Sequence, residues 1–294
     1  MTTPPPDSDA RIAVVTVSYG SAKVLPDFLA SIPAAASGAV EIVVADNKPL
    51  DDGQIELLTR AAGGRYLPLP ENPGYGGGMN RAVAVLGTSI EWILISNPDV
   101  VLGERSIDRL VAAGSSDSSI GAVGPAVLTP GGDVYPSARR VPSLRTGVGH
   151  ALFYNLWPNN IWSRRYLSGM TAEPRDAGWL SGSCLLVRRD AFDALGGFDE
   201  SYFMYFEDVD LGDRMSKAGY RNVYRPDSVV VHTGAHATSE ASAMMLQAHH
   251  ESASRFLSRK YSGALLLPLR LALKAGLSAR AAIEGRRARY HSAR

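Results

Sequence analysis

"RIAVVTVSYG", residues 11–20, is an apolar, β-branched run that stops at Ser18, Tyr19 and a glycine. A short run of this kind, bounded by a turn signal, is the pattern of a strand buried on both faces. The pattern recurs. "AVEIVVADN" stops at Asp46-Asn47, "RYLPLP" is a shorter run, and "SIEWILISNPD" stops at Asn97-Pro98-Asp99. Helical stretches fill the gaps, from about Lys23, from about Asp51 to Ala62, and after the glycines of "NPGYGGGMNRAVAVLG". Strand and helix alternating in this way predict an α/β fold, a parallel sheet covered by helices on both faces. In such sheets ligands sit at the carboxyl ends of the strands. Those ends carry Ser18-Tyr19, Asp46-Asn47 and Asn97 to Asp99.

The second half is less regular. "SIGAVGPAVLT" and "GWLSGSCLLVRR" read as strands, and residues 137–176 as a long loop region with a helix or two. "SVVVHTGAHAT" is a late strand, with a helix from about Ser239 to Arg259 behind it. Residues 1–10, polar and rich in proline, read as disordered. With 294 residues, 45% hydrophobic and 20% charged, the chain has the composition of an ordinary soluble protein. It has one cysteine, Cys184, hence no internal disulfide, which fits a reducing compartment. No secretory signal and no spanning apolar run is expected.

The net charge of +1 hides an asymmetry: residues 255–294 carry ten Lys/Arg against Glu284 alone, so the rest of the chain is acidic. Leu266, Leu269, Leu273 and Leu277 form a stripe there, with Arg270 and Lys274 off it. Residues 261–294 thus read as a basic amphipathic helical tail on an anionic membrane interface, or as a helix packing on the domain or a partner copy. Nucleic acid is disfavoured, because only Tyr290 interleaves with the basic side chains.

Several constellations could carry chemistry. Gly76 to Gly78 stand just before a helix, where backbone N–H groups can cradle an anion; the bland alternative is a flexible loop. Neither the dinucleotide fingerprint nor a P-loop is present. Asp99 on a turn after a buried strand could ligate a divalent cation that bridges a diphosphate, with Asn97 offering an amide oxygen. It could equally be a plain turn. Asp46 could accept the N3–H of uracil or thymine, or form an Asx turn. His232 could join a metal at Asp99, or be structural.

"SYFMYFEDVDLGDRM", residues 201–215, packs four carboxylates behind an aromatic cluster. On a helix from about Phe206, Asp210 and Asp213 fall on a solvated face, each in an i, i+4 pair with Arg214 and Lys217. Asp208 falls toward the apolar side, with Glu207 between the faces. A carboxylate in an apolar cleft is a candidate general base, so Asp208 stands first and Glu207 second.

The ordered series "VVTVSYG", "VVADN", "NPGYGGGMN", "ISNPDV", "GWLSGSCLLVRRDAFDALGGFDESYFMYFEDVDLGDRM" and "VVVHTGAHAT" resembles family 2 inverting glycosyltransferases of the GT-A fold, and within them the rhamnosyltransferase branch. The likeness covers about residues 11–260, with 11–100 as the nucleotide-sugar half and 101–260 as the acceptor half. It implies that Thr16, Ser18, Tyr19 and Asp46 hold the nucleoside. Asn72, Gly74, Gly76, Gly77 and Asn80 would shape the diphosphate and sugar pocket. Asn97-Pro98-Asp99 would be the branch's D-x-D motif, with Asp99 and His232 on Mn²⁺ or Mg²⁺. Asp208 would be the base, and Trp179, Ser181 and Gly182 would lie near the sugars. Relatives often read Asp-Trp where this chain has Gly178-Trp179, and Cys-Arg or Ala-Arg where it has Gly212-Asp213; the second change is expected on the solvated face.

The implied reaction moves L-rhamnose from dTDP-rhamnose to polyprenyl-diphosphate-linked N-acetylglucosamine, a cell-wall linker step at the cytoplasmic face of the plasma membrane. A donor such as UDP-N-acetylglucosamine or UDP-galactofuranose, or a non-catalytic nucleotide-sugar-binding adaptor, is the alternative. A homo-oligomer is compatible with the sequence.

Overall fold

A computed structural model describes residues 10–50, 52–143, 173–234, 241–263, 266–268 and 271. The strands are β1 (Ile12–Ser18), β2 (Val40–Asp46), β3 (Arg65–Pro68), β4 (Trp92–Ser96), β5 (Val100–Leu102), β6 (Ile120–Leu128), β7 (Val134–Tyr135), β8 (Ala138–Arg139), β9 (Arg175–Ala177), β10 (Trp179–Leu180), β11 (Cys184–Arg188) and β12 (Arg221–His232). The helices are α1 (Leu25–Ala35), α2 (Gln54–Ala61), α3 (Gly74–Ala84), α4 (Ser106–Ser115), α5 (Arg189–Ala194), α6 (Glu207–Lys217) and α7 (Ala241–Lys260).

One sheet runs β3-β2-β1-β4-β11-β6-β12-β5. Its first four strands are parallel, as the alternation predicts. β11 enters antiparallel between β4 and β6, so the two halves of the chain share a single mixed sheet. The strand expected from "GWLSGSCLLVRR" is broken into β10 and β11 by a turn at residues 181–183. The late strand begins seven residues earlier than "SVVVH", and a register irregularity between Arg225 and Val229 brackets Pro226.

β1 shows why the core is double. Ala13, Val15 and Val17 face the layer of α3 and α6, with Met79, Ala82, Leu211 and Met215. Val14 faces the layer of α1 and α4, with Phe28, Ile32, Ile107 and Leu110. Thr16 and Ser18 continue the Val14 side of the pleat but are polar, which places a binding edge where the apolar pattern stops.

Two expectations are corrected here. The glycine run does not precede the helix: Gly74 to Gly78 lie inside α3, in its first turns. Glycine costs a helix about 1 kcal/mol per residue relative to alanine, and close approach explains its presence. A Cβ at Gly74 would stand 2.2 Å from the Phe203 carbonyl oxygen, at Gly76 2.9 Å from Phe198 Cβ, at Gly77 2.7 Å from Pro73 Cβ, and at Gly78 2.7 Å from Val17 Cγ2. The first helical N–H groups are also taken, that of Gly74 by Asn72 Oδ1 (3.3 Å) and that of Tyr75 by Phe203 O (2.9 Å).

The second correction concerns α6. The i, i+4 pairs form, Asp210–Arg214 and Asp213–Lys217, both at 2.6 Å. Yet Asp210 is buried, because α7 covers that side: Arg259 pairs with Asp199 and lies 3.9 Å from Asp210, and Lys260 lies 3.8 Å from Asp213. Gly212 is not on a solvated face either. A Cβ there would meet Trp179 Cβ at 2.6 Å and Gly178 O at 2.9 Å. The two positions therefore touch: glycine at 212 lets α6 close on β10, while a Cβ at Gly178 would meet Val141 N at 2.4 Å.

Ala10, expected in a disordered leader, is buried, and its carbonyl accepts from Ser89 Oγ. Residues 1–9, and Leu269, Arg270, Leu273, Lys274 and Leu277 of the expected tail, lie outside the described residues. Of the tail stripe, Leu266 is exposed, as are Leu267 and Leu271. No helix of the described residues is long and apolar enough to cross a membrane.

Candidate active site

β1, β2 and β4 end at one edge, with Ser18 opposite Asp46 and Thr16 opposite Ser96. Asp46 is fully buried. Its carboxylate accepts from Lys48 N (3.2 Å) and Tyr66 Oη (3.1 Å). Burial first, and then the Asp46 charge, push the Tyr66 phenol up to about 12. Tyr19 stands out into solvent with Lys48 Nζ 5.2 Å from its ring centre. Thr16 Oγ1 and Ser18 Oγ are buried with no hydrogen-bond partner among the described residues. An unmade buried hydrogen bond costs about 1–3 kcal/mol, so two orphaned hydroxyls at a strand edge mark a place for a ligand's polar atoms. Thr16→Val should accordingly leave the ligand-free protein as stable or about 1 kcal/mol more stable in thermal unfolding, while raising the KM for the nucleotide donor about 5–30-fold. A loss of stability with an unchanged donor KM would refute the assignment.

Beyond β4 the chain turns through Asn97-Pro98-Asp99 into β5. Asp99 is buried, and its backbone carbonyl is held by Thr233 N and Thr233 Oγ1, both at 3.0 Å. His232, the last residue of β12, places Nε2 3.1 Å from Asp99 Oδ1 and 3.4 Å from Asn97 Nδ2. The suspected pair, about 130 residues apart in sequence, is thus brought into contact. Among the described residues no cluster of three or more His, Cys, Asp or Glu side chains could hold a metal. A carboxylate and an imidazole side by side suit a cation that takes the rest of its shell from a diphosphate and water, as Mg²⁺ and Mn²⁺ do.

Gly182 joins this turn to α6. Its N–H donates to Asp208 Oδ2 (2.9 Å), and its carbonyl accepts from Tyr75 Oη (2.5 Å). The next residue, Ser183, accepts from Asn97 N (2.9 Å). Ser181 Oγ lies 3.0 Å from Ser183 Oγ, and Trp179 Nε1 donates to Arg140 O (3.2 Å). Segment 179–183 is therefore gripped by α3, α6 and the Asn97 turn together. Tyr75 and Ser183 escaped the sequence reading, though Tyr75 stands within the glycine run and Ser183 next to Gly182. Asn72, at φ 45°, accepts from Gly74 N and shapes the start of α3. Asn80 bonds Phe198 N, Phe198 O and Glu200, tying α3 to the loop before α6.

Glu207 and Asp208 open α6 directly after Tyr205 and Phe206, both left-handed (φ 66° and 67°). Two non-glycine residues in that region store strain of about 1–3 kcal/mol each, and α7 holds them. Ser252 Oγ donates to Met204 O, His249 stacks on both rings, and Phe206 packs on Phe256. The wheel assigned burial to Asp208 and left Glu207 between the faces; the structure buries Glu207 more deeply. α6 is covered on several sides, so a one-sided wheel misjudges its exposure. Glu207 Oε2 is buried with no partner among the described residues, and burial, then the Asp208 charge, raise its carboxyl well above the usual range. Asp208 is half-buried. Burial raises its carboxyl, opposed by the N–H groups of Gly182 and Val209 and by the Arg139 charge. Asp208 accepts two backbone N–H bonds that favour its charged form, whereas Glu207 Oε2 has no partner among the described residues, so Asp208 is the better candidate for the ionised acid of the pair.

A family model described as glycosyltransferase like family 2 matches residues 9–250. The chain belongs to glycosyltransferase family 2. This transferase is 44% identical over 279 residues, 92% of its own length and 91% of the relative's, to the N-acetylglucosaminyl-diphospho-decaprenol L-rhamnosyltransferase of Mycobacterium tuberculosis. It is 40% identical to the rhamnosyltransferase WbbL of Escherichia coli over 82 residues, 28% of this chain and 31% of that one. Among solved structures, the mannosyltransferase PcManGT from Pyrobaculum calidifontis, in complex with GDP-Man and Mn²⁺, superposes with a TM-score of 0.56 at 20% identity, over 96% of this chain and 77% of that chain. That likeness establishes the GT-A type of fold and no more. The α/β architecture expected from the sequence is the one found.

Proposed function

We propose that this family 2 transferase moves L-rhamnose from dTDP-L-rhamnose to N-acetylglucosamine carried on a polyprenyl diphosphate, with inversion at the anomeric carbon. The observation that carries this reading is 44% identity, spread over nine-tenths of both chains, to an enzyme named for rhamnosyl transfer to such a lipid-linked sugar.

The geometry supports it residue by residue. Thr16, Ser18 and Asp46 offer a buried hydroxyl pair and a carboxylate acceptor to a thymine nucleoside. Asp99 and His232, with Asn97 beside them, would hold Mn²⁺ or Mg²⁺. Bound there, the cation would draw off the charge that builds on the departing diphosphate. Asp208 takes the proton of the acceptor hydroxyl. The new bond forms between that oxygen and C1, while the bond from C1 to the diphosphate oxygen breaks and its electron pair leaves with dTDP. A single displacement inverts C1. Gly182 keeps Asp208 aimed at the sugar site through its N–H. The exposed Leu266, Leu267 and Leu271 and the basic tail suit a membrane surface, where a polyprenyl acceptor must stay, which supports a peripheral position at the cytoplasmic face.

One experiment tests both parts. A panel of nucleotide sugars is offered with N-acetylglucosaminyl-diphospho-lipid in anionic vesicles, using the full chain and a chain ending at Lys260. The expected outcome is turnover of dTDP-rhamnose, at least ~10²-fold above UDP-N-acetylglucosamine, and loss of vesicle binding in the shorter chain. Turnover of another nucleotide sugar in its place would overturn the donor. Undiminished binding of the shorter chain would overturn the tail.

A further inference from the structure

Arg139 has no part in the mechanism above, yet it is built into the site. β8 and β10 pair antiparallel with Arg139 opposite Trp179, and Ser181 N bonds Ser137 O just beyond. The Arg139 guanidinium lies 5.6 Å from the Trp179 ring centre and 5.4 Å from that of Tyr135. Its Nε donates to Pro136 O (2.6 Å). The group is thereby held beside two aromatic rings. Arg214, Arg221 and Arg225 are each spent on a carboxylate. Nη1 and Nη2 of Arg139, by contrast, have no hydrogen-bond or ion-pair partner among the described residues.

A half-buried guanidinium with two oriented, uncommitted donors is suited to a forked oxyanion. Asp208 is not that anion. It uses its oxygens on Gly182 N and Val209 N and makes no ion pair with Arg139, although it feels the arginine's charge. Arg139 and Asp208 thus both adjoin segment 179–183, Arg139 through Trp179 and Asp208 through Gly182 N, close enough for the arginine's charge to act on the carboxylate. The donor's diphosphate is claimed elsewhere, at Asp99 and His232 on the ends of β4 and β12. The acceptor has a diphosphate of its own. It sits on C1 of the very sugar whose hydroxyl Asp208 deprotonates, so it must lie within a sugar ring's reach of that carboxylate.

We propose that Arg139, braced on Trp179 and Tyr135, seats the diphosphate of the lipid-linked acceptor and makes the enzyme selective for a sugar carried on diphosphate. This inference rests on the acceptor class proposed above. It assigns Trp179 a bracing role, and it explains why a short two-stranded ribbon is tied so firmly to the base.

The test compares two acceptors with the same sugar. One is N-acetylglucosamine on a short prenyl diphosphate, and the other is octyl β-N-acetylglucosaminide, which has no phosphate. The expected result for Arg139→Gln in the full chain is a roughly 10–100-fold fall in the ratio of kcat/KM between the first acceptor and the second, with the donor KM within about twofold of wild type. Arg139→Lys, which keeps the charge but not the fork, should fall in between. Taking the ratio cancels any effect that Arg139 exerts through the Asp208 carboxyl. Equal losses on both acceptors, or a raised donor KM, would overturn the proposal; the second outcome would assign Arg139 to the donor's diphosphate. Calorimetric titration of the diphosphate acceptor in the presence of dTDP should show the same loss of affinity without turnover. If the donor were not dTDP-rhamnose, transfer from that donor would fail while the calorimetric difference between wild type and variant persisted.

Discussion

Asp208→Asn should lower kcat about 10²–10⁴-fold with little change in the donor KM, the loss expected when a positioned general base is removed. The substitution is nearly isosteric. An asparagine Oδ1 can still accept from Gly182 N, so segment 179–183 should keep its place; the Val209 N–H is the bond at risk. Glu207→Gln is the paired control. Glu207 is buried with an orphaned Oε2 and a carboxyl raised well above the usual range by burial and by Asp208. Burial favours its protonated form, so a neutral glutamine should retain most of the turnover. The pH profiles carry the sign. As the proposed base Asp208 must work ionised, and burial raises its carboxyl above the ordinary 3.8. Turnover should therefore fall as pH falls through that raised value, and Glu207→Gln should leave this limb in place. Stability runs the other way at Glu207. A folded-state pKa above the unfolded one stabilises at pH below the unfolded value, and that contribution is lost as pH rises through the folded one. Glu207→Gln should thus unfold at a temperature equal to wild type at acid pH and above it at alkaline pH. Full turnover in Asp208→Asn, with none in Glu207→Gln, would move the base to Glu207.

That contrast shows where the sequence was legible. The parallel half of the sheet could be read because β1, β4 and the second half of β2 are buried, so their runs are mostly apolar and their polar ends stand out. Ser18, Asp46 and Asp99 sit at or just past such ends and were singled out for that reason, whereas Thr16, inside β1, was named only by the family resemblance. The i, i+4 acid–base pairs on α6 were also legible, since helical spacing alone creates them. What failed was any inference that needed a third body. α7 turns the supposedly solvated Asp210 into a buried ion pair, and neither the wheel nor the spacing contains α7. The glycines of α3 were read as a phosphate cradle because their neighbours, Phe198 and Phe203, come from a distant segment. Gly178 and Gly212 looked like two unrelated departures until the packing of β10 on α6 put them in contact. Arg139 gave no signal at all, because a single arginine in an aperiodic stretch acquires meaning only when Trp179 is laid beside it.

Asp99→Ala should reduce kcat about 10²–10³-fold and weaken Mn²⁺ binding in the presence of dTDP. A cation that offsets leaving-group charge contributes several kcal/mol, and Asp99 supplies the one carboxylate of the pair. The fold should survive, because Thr233 holds the turn through the Asp99 backbone carbonyl and not through its side chain. His232→Ala should cost less, about 10-fold, since on the proposed assignment imidazole would be the second protein ligand and a water could take its place. If both side chains act through one ion, their effects cannot add. The double variant should be little worse than Asp99→Ala alone, whereas independent roles would multiply. The measurement is a thermodynamic cycle in kcat, run beside electron-spin titration of Mn²⁺ into protein with dTDP. That titration reports on the site without any turnover. The alternative is that Asp99 and His232 form a plain hydrogen-bonded pair, 3.1 Å apart, that merely braces the end of β12. In that case Mn²⁺ affinity would be unchanged in both single variants, and their cost would appear in the unfolding temperature. The metal assignment would then be lost, while the base at Asp208 would stand untouched.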